Sequence, residues 1–307
     1  MPDDVTVIIR SSGERTLSYC KKLLSLQIPE QQIIILEEKP FSAALRKGFE
    51  MGIEKGTQWL LCIDADVLVR ENVVKSMLDI AGNLSEKIFL IQGTVLDKFF
   101  PIKRPAGNHL YRSEFIEQAV KLIPEEGKSL RPESDMRNAM TASGHQWQQI
   151  DFVVGLHDFR QYYCDIYKKC FLQAHKHTRH ISLVESYWES QKLKDTDFLV
   201  ALSGLNDGKS YNDKVYVDRD FLDSETKNEL KLMEIEEKKP IPEVEFKVSS
   251  IDSILSEQEV IVSRNRELQK KMFPPKSWNK VHGIAEEDSE KRRISHRVRK
   301  MLHRLKG

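Results

Sequence analysis

Asp64 and Asp66 stand one residue apart at the end of Trp59-Leu60-Leu61-Cys62-Ile63, a run apolar enough to be a buried strand. Residues i and i+2 of an extended chain share a face, so the two carboxylates are expected to converge just past the strand's carboxyl end. In open α/β sheets that is where ligands bind. Two hard oxygen ligands suit Mg²⁺ or Mn²⁺ shared with substrate phosphates. Asp-X-Asp pairs are common in solvated turns, and the apolar strand in front of this one is what favours the metal reading.

Three further groups have the right types for chemistry. Glu133 and Asp135 follow Pro132 at a helix start, where acids are in any case favoured by the helix dipole. His157 closes a strand-like run from Ile150 to Val154 and Gly155-Leu156, and imidazole is an acceptable Mn²⁺ ligand. Asp158 reads as the N-cap of the helix after it. The cluster His175-Lys176-His177-Thr178-Arg179-His180 lies at a helix end. His175 and His177 do not face together on a helix, so the cluster reads as cations favoured by the dipole, or as a group that meets a phosphate of a ligand.

The elements that must position these residues alternate. Strands are expected at Val5–Ile9, Ile33–Leu36, Trp59–Asp66 and Ile88–Ile91, with helices at Leu17–Gln27, from a Ser42 cap to Gly56, and at Glu71–Ala81. This is a βαβαβ pattern, which builds a parallel sheet with right-handed crossovers. Residues 93–112 read as irregular, helices follow at Ser113–Leu122 and from Pro132, and another spans Phe159–His175. Gly204 and Asn206-Asp207-Gly208 read as turns. Residues 1–180 are expected to form the α/β domain, 181–235 a helical extension, 236–290 a linker or irregular segment, and 291–307 a basic amphipathic helix.

The 307 residues are 40% hydrophobic and 31% charged with a formal net charge of +1, so the molecule carries no overall bias toward nucleic acid. The charge is uneven: residues 291–307 hold eight Lys/Arg and no acid, with Ile294, Val298, Met301, Leu302 and Leu305 in an apolar stripe. That segment suits docking on an anionic membrane surface or on the protein's own body. The four cysteines form no metal or redox spacing. No stretch reaches the roughly 18–20 apolar residues of a membrane span, and no signal-peptide layout opens the chain. A cytoplasmic protein, peripheral at most to the inner face of the membrane, is expected.

Four segments together resemble the GT-A fold class of nucleotide-sugar glycosyltransferases, family 2 in particular. Val5–Arg15 is similar to its first strand and base-contacting loop, and Phe41-Ser42-Ala43-Ala44-Leu45-Arg46-Lys47-Gly48-Phe49 to its Ala-Ala-Arg-Asn-X-Gly helix. Leu61–Asp66 resembles its Asp-X-Asp strand, and Glu133-Ser134-Asp135-Met136 with Gly144-His145 its acidic segment. The resemblance covers about residues 5–160. It departs at Arg10-Ser11-Ser12, at Glu37, and at Ser134, where the second acid of a Glu-Asp pair is missing.

The resemblance implies a GT-A type α/β fold, a mostly parallel sheet flanked by helices, with a helical C-terminal extension. It implies Asp135 as general base with Glu133 as runner-up, and Asp64, Asp66 and His157 around Mn²⁺ or Mg²⁺. Arg10, Glu14, Glu37, Arg46 and Asp64 would hold a nucleoside diphosphate sugar, UDP- or GDP-linked, for inverting transfer to a glycan or lipid-linked acceptor. Two rivals are weighed: a sugar nucleotidyltransferase, disfavoured because Ser11-Ser12-Gly13-Glu14-Arg15 is too sparse a phosphate loop, and a non-catalytic scaffold or membrane-surface binding protein, disfavoured by the retained aspartates.

Overall fold

The organising feature is an eight-stranded mixed sheet, described with its helices by a computed structural model that covers residues 4–242 and 247–273. The basic segment 291–307 lies outside the described residues. In chain order, β1 (Val5–Arg10), β2 (Ile33–Leu36) and β3 (Trp59–Asp64) form a parallel trio with β1 in the middle. β4 (Val67–Val69) follows at the far edge, and β5 (Ile88–Asp97) lies deep in the sheet. β6 (Lys103–Arg104) pairs antiparallel with β5, while β7 (Asn108–Arg112) runs antiparallel between β3 and β5. β8 (Gln146–His157) is parallel to β5 and antiparallel to β4. Residues 93–112, read as irregular from sequence, thus supply two strands and the end of a third.

Strand periodicity decides which core each side chain enters. In β1, Val5, Val7 and Ile9 point to one core and Ile8 to the other; in β3, Trp59, Leu61 and Ile63 part from Leu60 and Cys62 in the same way. The first core is covered by α1 (Leu17–Ser25) and α3 (Val73–Gly82). The second is covered by α2 (Phe41–Lys55), α4 (Ile116–Lys121) and α5 (Pro132–Ala142). Helices on both faces of a largely parallel sheet are the α/β architecture that the sequence leads one to expect.

The C-terminal half adds a helical block. α6 (Tyr163–Lys176), α7 (Thr178–Gln191), α8 (Thr196–Ser210) and α9 (Asp223–Leu232) enclose a core of their own around Trp188, Phe198 and Leu205, joined to the sheet through Phe99 and Phe100. Gly204 and Gly208 lie inside α8, not in turns. A Cβ built at either would come within 2.3 Å of Tyr167 O or 2.4 Å of Phe171 O, so these glycines let α8 press against α6. The segment read as linker also differs. α10 (Val248–Arg264) returns to the sheet and buries Ile251, Leu255 and Val262 in the first core, and α11 (Arg266–Met272) packs on α7. Among the described residues no helix is long and apolar enough to cross a membrane.

Candidate active site

Register brings the polar residues together. Arg10 sits opposite Asp64 across the β1–β3 ladder, and His157 lies opposite both Asp97 on β5 and Val67 on β4. The strand ends therefore deliver Arg10, Asp64, Asp66, Asp97 and His157 to one rim of the sheet. A cavity of about 630 Å³ opens there, walled also by Ser11, Glu14, Glu133 and α6.

Asp64 and Asp66 line this cavity but do not converge on one partner. β3 ends at Asp64, and residues 65–66 form a turn, so the strand alternation that would have aligned them stops between them. Asp64 Oδ1 accepts a hydrogen bond from Arg10 Nε at 2.8 Å and lies at ion-pair distance, 2.7 Å, from Nη2. The other end of the same guanidinium, Nη1, donates to Glu133 Oε1 at 2.8 Å. Glu133 Oε1 also accepts Tyr111 Oη at 2.7 Å. Gln92 Nε2 donates to His109 Nε2 at 3.0 Å, which leaves the ring proton on Nδ1, 3.2 Å from Glu133. Burial alone would raise Glu133, but Arg10, with His109 and the Tyr111 hydrogen bond, holds the carboxyl down at about 2. Burial pushes His109 down to about 4, so that ring is neutral above it.

Asp66 faces a different set. Lys169 Nζ lies 2.6 Å from Asp66 Oδ2 and also donates to Asp158 Oδ1. Asp66 Oδ1 is buried without a hydrogen-bond partner, 3.6 Å from His157 Nε2. His157 Nδ1 donates to Asp97 Oδ2 at 2.7 Å, with Asp158 Oδ2 at 3.0 Å. Asp97 is in turn held by the backbone N–H groups of Phe99 and Phe100 and by Arg104 Nε at 3.0 Å. Burial opposes charge on all of these groups. Even so, Asp158 and Asp66 carry His157 up to about 10, while Arg104 and the His157 hydrogen bond hold Asp97 at about 2. Asp158 adopts φ +67° and spends its carboxylate on His157 and Lys169; α6 begins only at Tyr163, so Asp158 is not its N-cap.

A divalent cation fits the second set. Asp66, His157 and Asp158 each offer a ligand atom, all within 4.8 Å of one another. The carboxylate of Asp97 pins His157 by Nδ1 and so aims Nε2 at the orphaned Asp66 Oδ1, the arrangement by which outer carboxylates orient metal-bound histidines. A separation of 3.6 Å is too long for a hydrogen bond and is compatible with two ligands in one metal shell. Asp64 stands outside this group, engaged by Arg10.

The remaining sequence candidates divide. Glu14 lines the cavity and takes the Ser12 N–H at 2.7 Å; burial, with Asp66 adding to it, raises its carboxyl. Glu37 is exposed and does not line the cavity, whereas its neighbours Glu38 and Lys39 do. Arg46 points away: it donates to the carbonyls of Val120 and Ile123 and so closes the end of α4. Asp135 is exposed, accepts Ser129 Oγ at 2.5 Å, and is absent from the cavity wall. Ser42 does not cap α2; it lies within that helix and donates to Glu126. Sequence reasoning missed Asp97 and Lys169, and the helical spacing of Lys169 and Lys176 on α6 was the available signal for the latter.

No family model matches the chain, and no curated protein matches it by sequence. Solved structures do resemble it. A mannosyltransferase from Pyrobaculum calidifontis, solved with GDP-Man and Mn²⁺, matches over 89% of this chain and 88% of its own at 12% identity and a TM-score of 0.33. A glycosyltransferase involved in glycosylation of the major capsid of PBCV-1 matches over 50% of this chain and 82% of its own at 15% identity and a TM-score of 0.35. A cytidylyltransferase from Leptospira borgpetersenii matches over 48% and 76% at 8% identity and a TM-score of 0.35. Likeness at this level assigns no reaction.

Proposed function

We propose that the chain is a metal-dependent glycosyltransferase. It moves a sugar from a UDP- or GDP-linked donor to a hydroxyl of a glycan or lipid-linked acceptor, with inversion. The observation that carries this reading is Asp66 Oδ1, buried without a hydrogen-bond partner 3.6 Å from His157 Nε2, at the strand-end rim of a cavity large enough for a nucleotide. A divalent cation there supplies Lewis-acid neutralisation of the leaving diphosphate.

The chain's own residues do the rest. Lys169, already beside Asp66, adds positive charge to the same end of the cavity. Glu14 and Arg10 flank the carboxyl end of β1, where a nucleoside would lie along the first loop. In the transfer the acceptor oxygen bonds to the anomeric carbon as that carbon's bond to the diphosphate oxygen breaks, and the acceptor proton passes to a base. Of the two acids considered from sequence only Glu133 reaches the cavity, so we assign the proton to it. Its low pKa means that Arg10 must be drawn off it first, and a donor phosphate or ribose competing for Arg10 would do so.

A thermal-shift panel of UDP, GDP, CMP and dTDP with and without Mn²⁺ tests the reading, since a ligand of the folded state raises the melting temperature by mass action. UDP or GDP is expected to stabilise only with Mn²⁺, and to lose that effect in Asp66→Ala. The matching nucleotide sugar should then release nucleoside diphosphate. A well-folded protein that answers no nucleotide would refute the donor site, and pyrophosphate release from a nucleoside triphosphate with a sugar phosphate would make it a nucleotidyltransferase.

A further inference from the structure

Lys169 and Lys176 both line the cavity from α6, seven residues apart. Two helical turns separate them by about 10 Å along the axis, at 1.5 Å per residue. Lys169 is neutralised by Asp66 and Asp158. Lys176 has no ion-pair or hydrogen-bond partner among the described residues. Burial, together with the positive Arg219, Lys169 and Arg131 around it, pushes Lys176 down to about 7. Arg131, just before α5, and Arg179, in the first turn of α7, line the same cavity and also lack a salt bridge among the described residues. Between the two lysines lies Gln173, only 8% exposed, whose Oε1 is buried with no hydrogen-bond partner.

Cations gathered in a partly closed cavity repel one another, and a buried acceptor without a donor is costly. One kind of ligand relieves both: an anion carrying a nearby hydroxyl. Lys169 already has its charge met by Asp66 and Asp158, so Lys176 and the two arginines are the cations left for a further anion.

We infer that Lys176, Arg131 and Arg179 form a second anion subsite, which takes a phosphate monoester on the acceptor while Gln173 Oε1 receives one of its hydroxyls. This rests on the donor reading in one respect, that the Asp66 end of the cavity takes the donor diphosphate. The acceptor is thereby narrowed to a phosphorylated polyol or sugar, free or as a lipid headgroup.

The test is calorimetric titration of the full chain with glycerol 3-phosphate, and with glycerol as control, in the presence and absence of saturating nucleoside diphosphate and Mn²⁺. Glycerol 3-phosphate is expected to bind in both conditions and glycerol in neither. Lys176→Met with Arg131→Gln should weaken that binding on the order of 10- to 100-fold, the loss of charged hydrogen bonds, while nucleotide affinity holds. Removing cations that repel one another and have no counter-charge should leave the melting temperature unchanged or higher. If the double variant nevertheless misfolds, the single change Arg179→Gln should show a smaller weakening of the same sign. Displacement of glycerol 3-phosphate by the nucleotide, or unchanged affinity in the folded variants, would overturn the subsite. Phosphate binding without any nucleotide binding would sink the donor reading and spare the subsite. Flotation with phosphatidylcholine vesicles containing phosphatidylinositol phosphate separates the sources: vesicle binding that needs Lys176 marks a lipid headgroup, binding of the soluble probe alone marks a free phosphate, and neither overturns the inference.

Discussion

Asp64 and Asp66 are two residues apart, yet they serve two electrostatic centres built on opposite terms. Around Asp64, donors are in excess: one guanidinium, one phenol and one imidazole N–H converge on Asp64 and Glu133, and the carboxylate that accepts most of them sits at about 2. Around Asp66, three carboxylates face one lysine, one imidazole and the Arg104 guanidinium, and a carboxylate oxygen is left over. The first centre holds strands β1, β3 and β7 to α5, and its leftover atoms, Arg10 Nη2 and His109 Nδ1, are nitrogens rather than metal-binding oxygens. The second has capacity for one more cation. The lesson is that a leftover ligand atom, more than the presence of two acids, marks where a metal can enter.

The largest effect should come from Glu133, where the comparison is most exposed to failure. Glu133→Gln should lower turnover about 10²- to 10⁴-fold, the usual contribution of a general base, with nucleotide binding retained, while Asp135→Asn stays near the parent rate. Steady-state rates with the matched donor decide this, and the reverse pattern would make the Asp64 centre purely structural. Next, Asp66→Asn should reduce turnover on the order of 10²- to 10³-fold through lost stabilisation of the leaving group, and Mn²⁺ titration should show weaker binding. Asp64→Asn should leave Mn²⁺ affinity almost unchanged; if it falls as far as in Asp66→Asn, the two centres are one.

A smaller effect is expected one shell out. Asp97→Asn removes the carboxylate that aims His157 and should cost about 10- to 100-fold in metal affinity, read by the same titration. Smallest are the pH effects on stability of the metal-free protein. The His157 pKa is raised to about 10, so its contribution is full below the unfolded value of about 6.5 and is lost as pH rises toward 10. The His109 pKa is depressed to about 4, so its contribution is full above about 6.5 and fades as pH falls toward 4. Urea midpoints measured across pH should therefore lose their alkaline slope in His157→Gln and their acid slope in His109→Gln; identical profiles would erase the contrast.

Much of the frame was legible in local sequence. The β1 and β3 runs, the helices between them, and the buried Cys20 and Cys62 follow from apolar periodicity, which is a property of neighbouring residues. The chain also told that the Asp64–Asp66 pair lies at the carboxyl end of a buried strand and that His157 ends another. Where local reading misled, longer contacts intervened. Gly204 and Gly208 look like turn residues until a second helix is pressed against them, and residues 248–264 look like a linker until the first core is seen to lack cover on that side.

Sequence alone determined the alternation of strands and helices and the placing of acids at strand ends, because both depend on residues a few positions apart. Only the tertiary structure decided which acid keeps a free oxygen. Arg10 claims Asp64 and Glu133 across 54 and 123 residues, and Lys169 claims Asp66 across 103. Such pairings depend on sheet order and register, which bring distant strand ends level and leave Asp66 Oδ1 and His157 Nε2 facing one another.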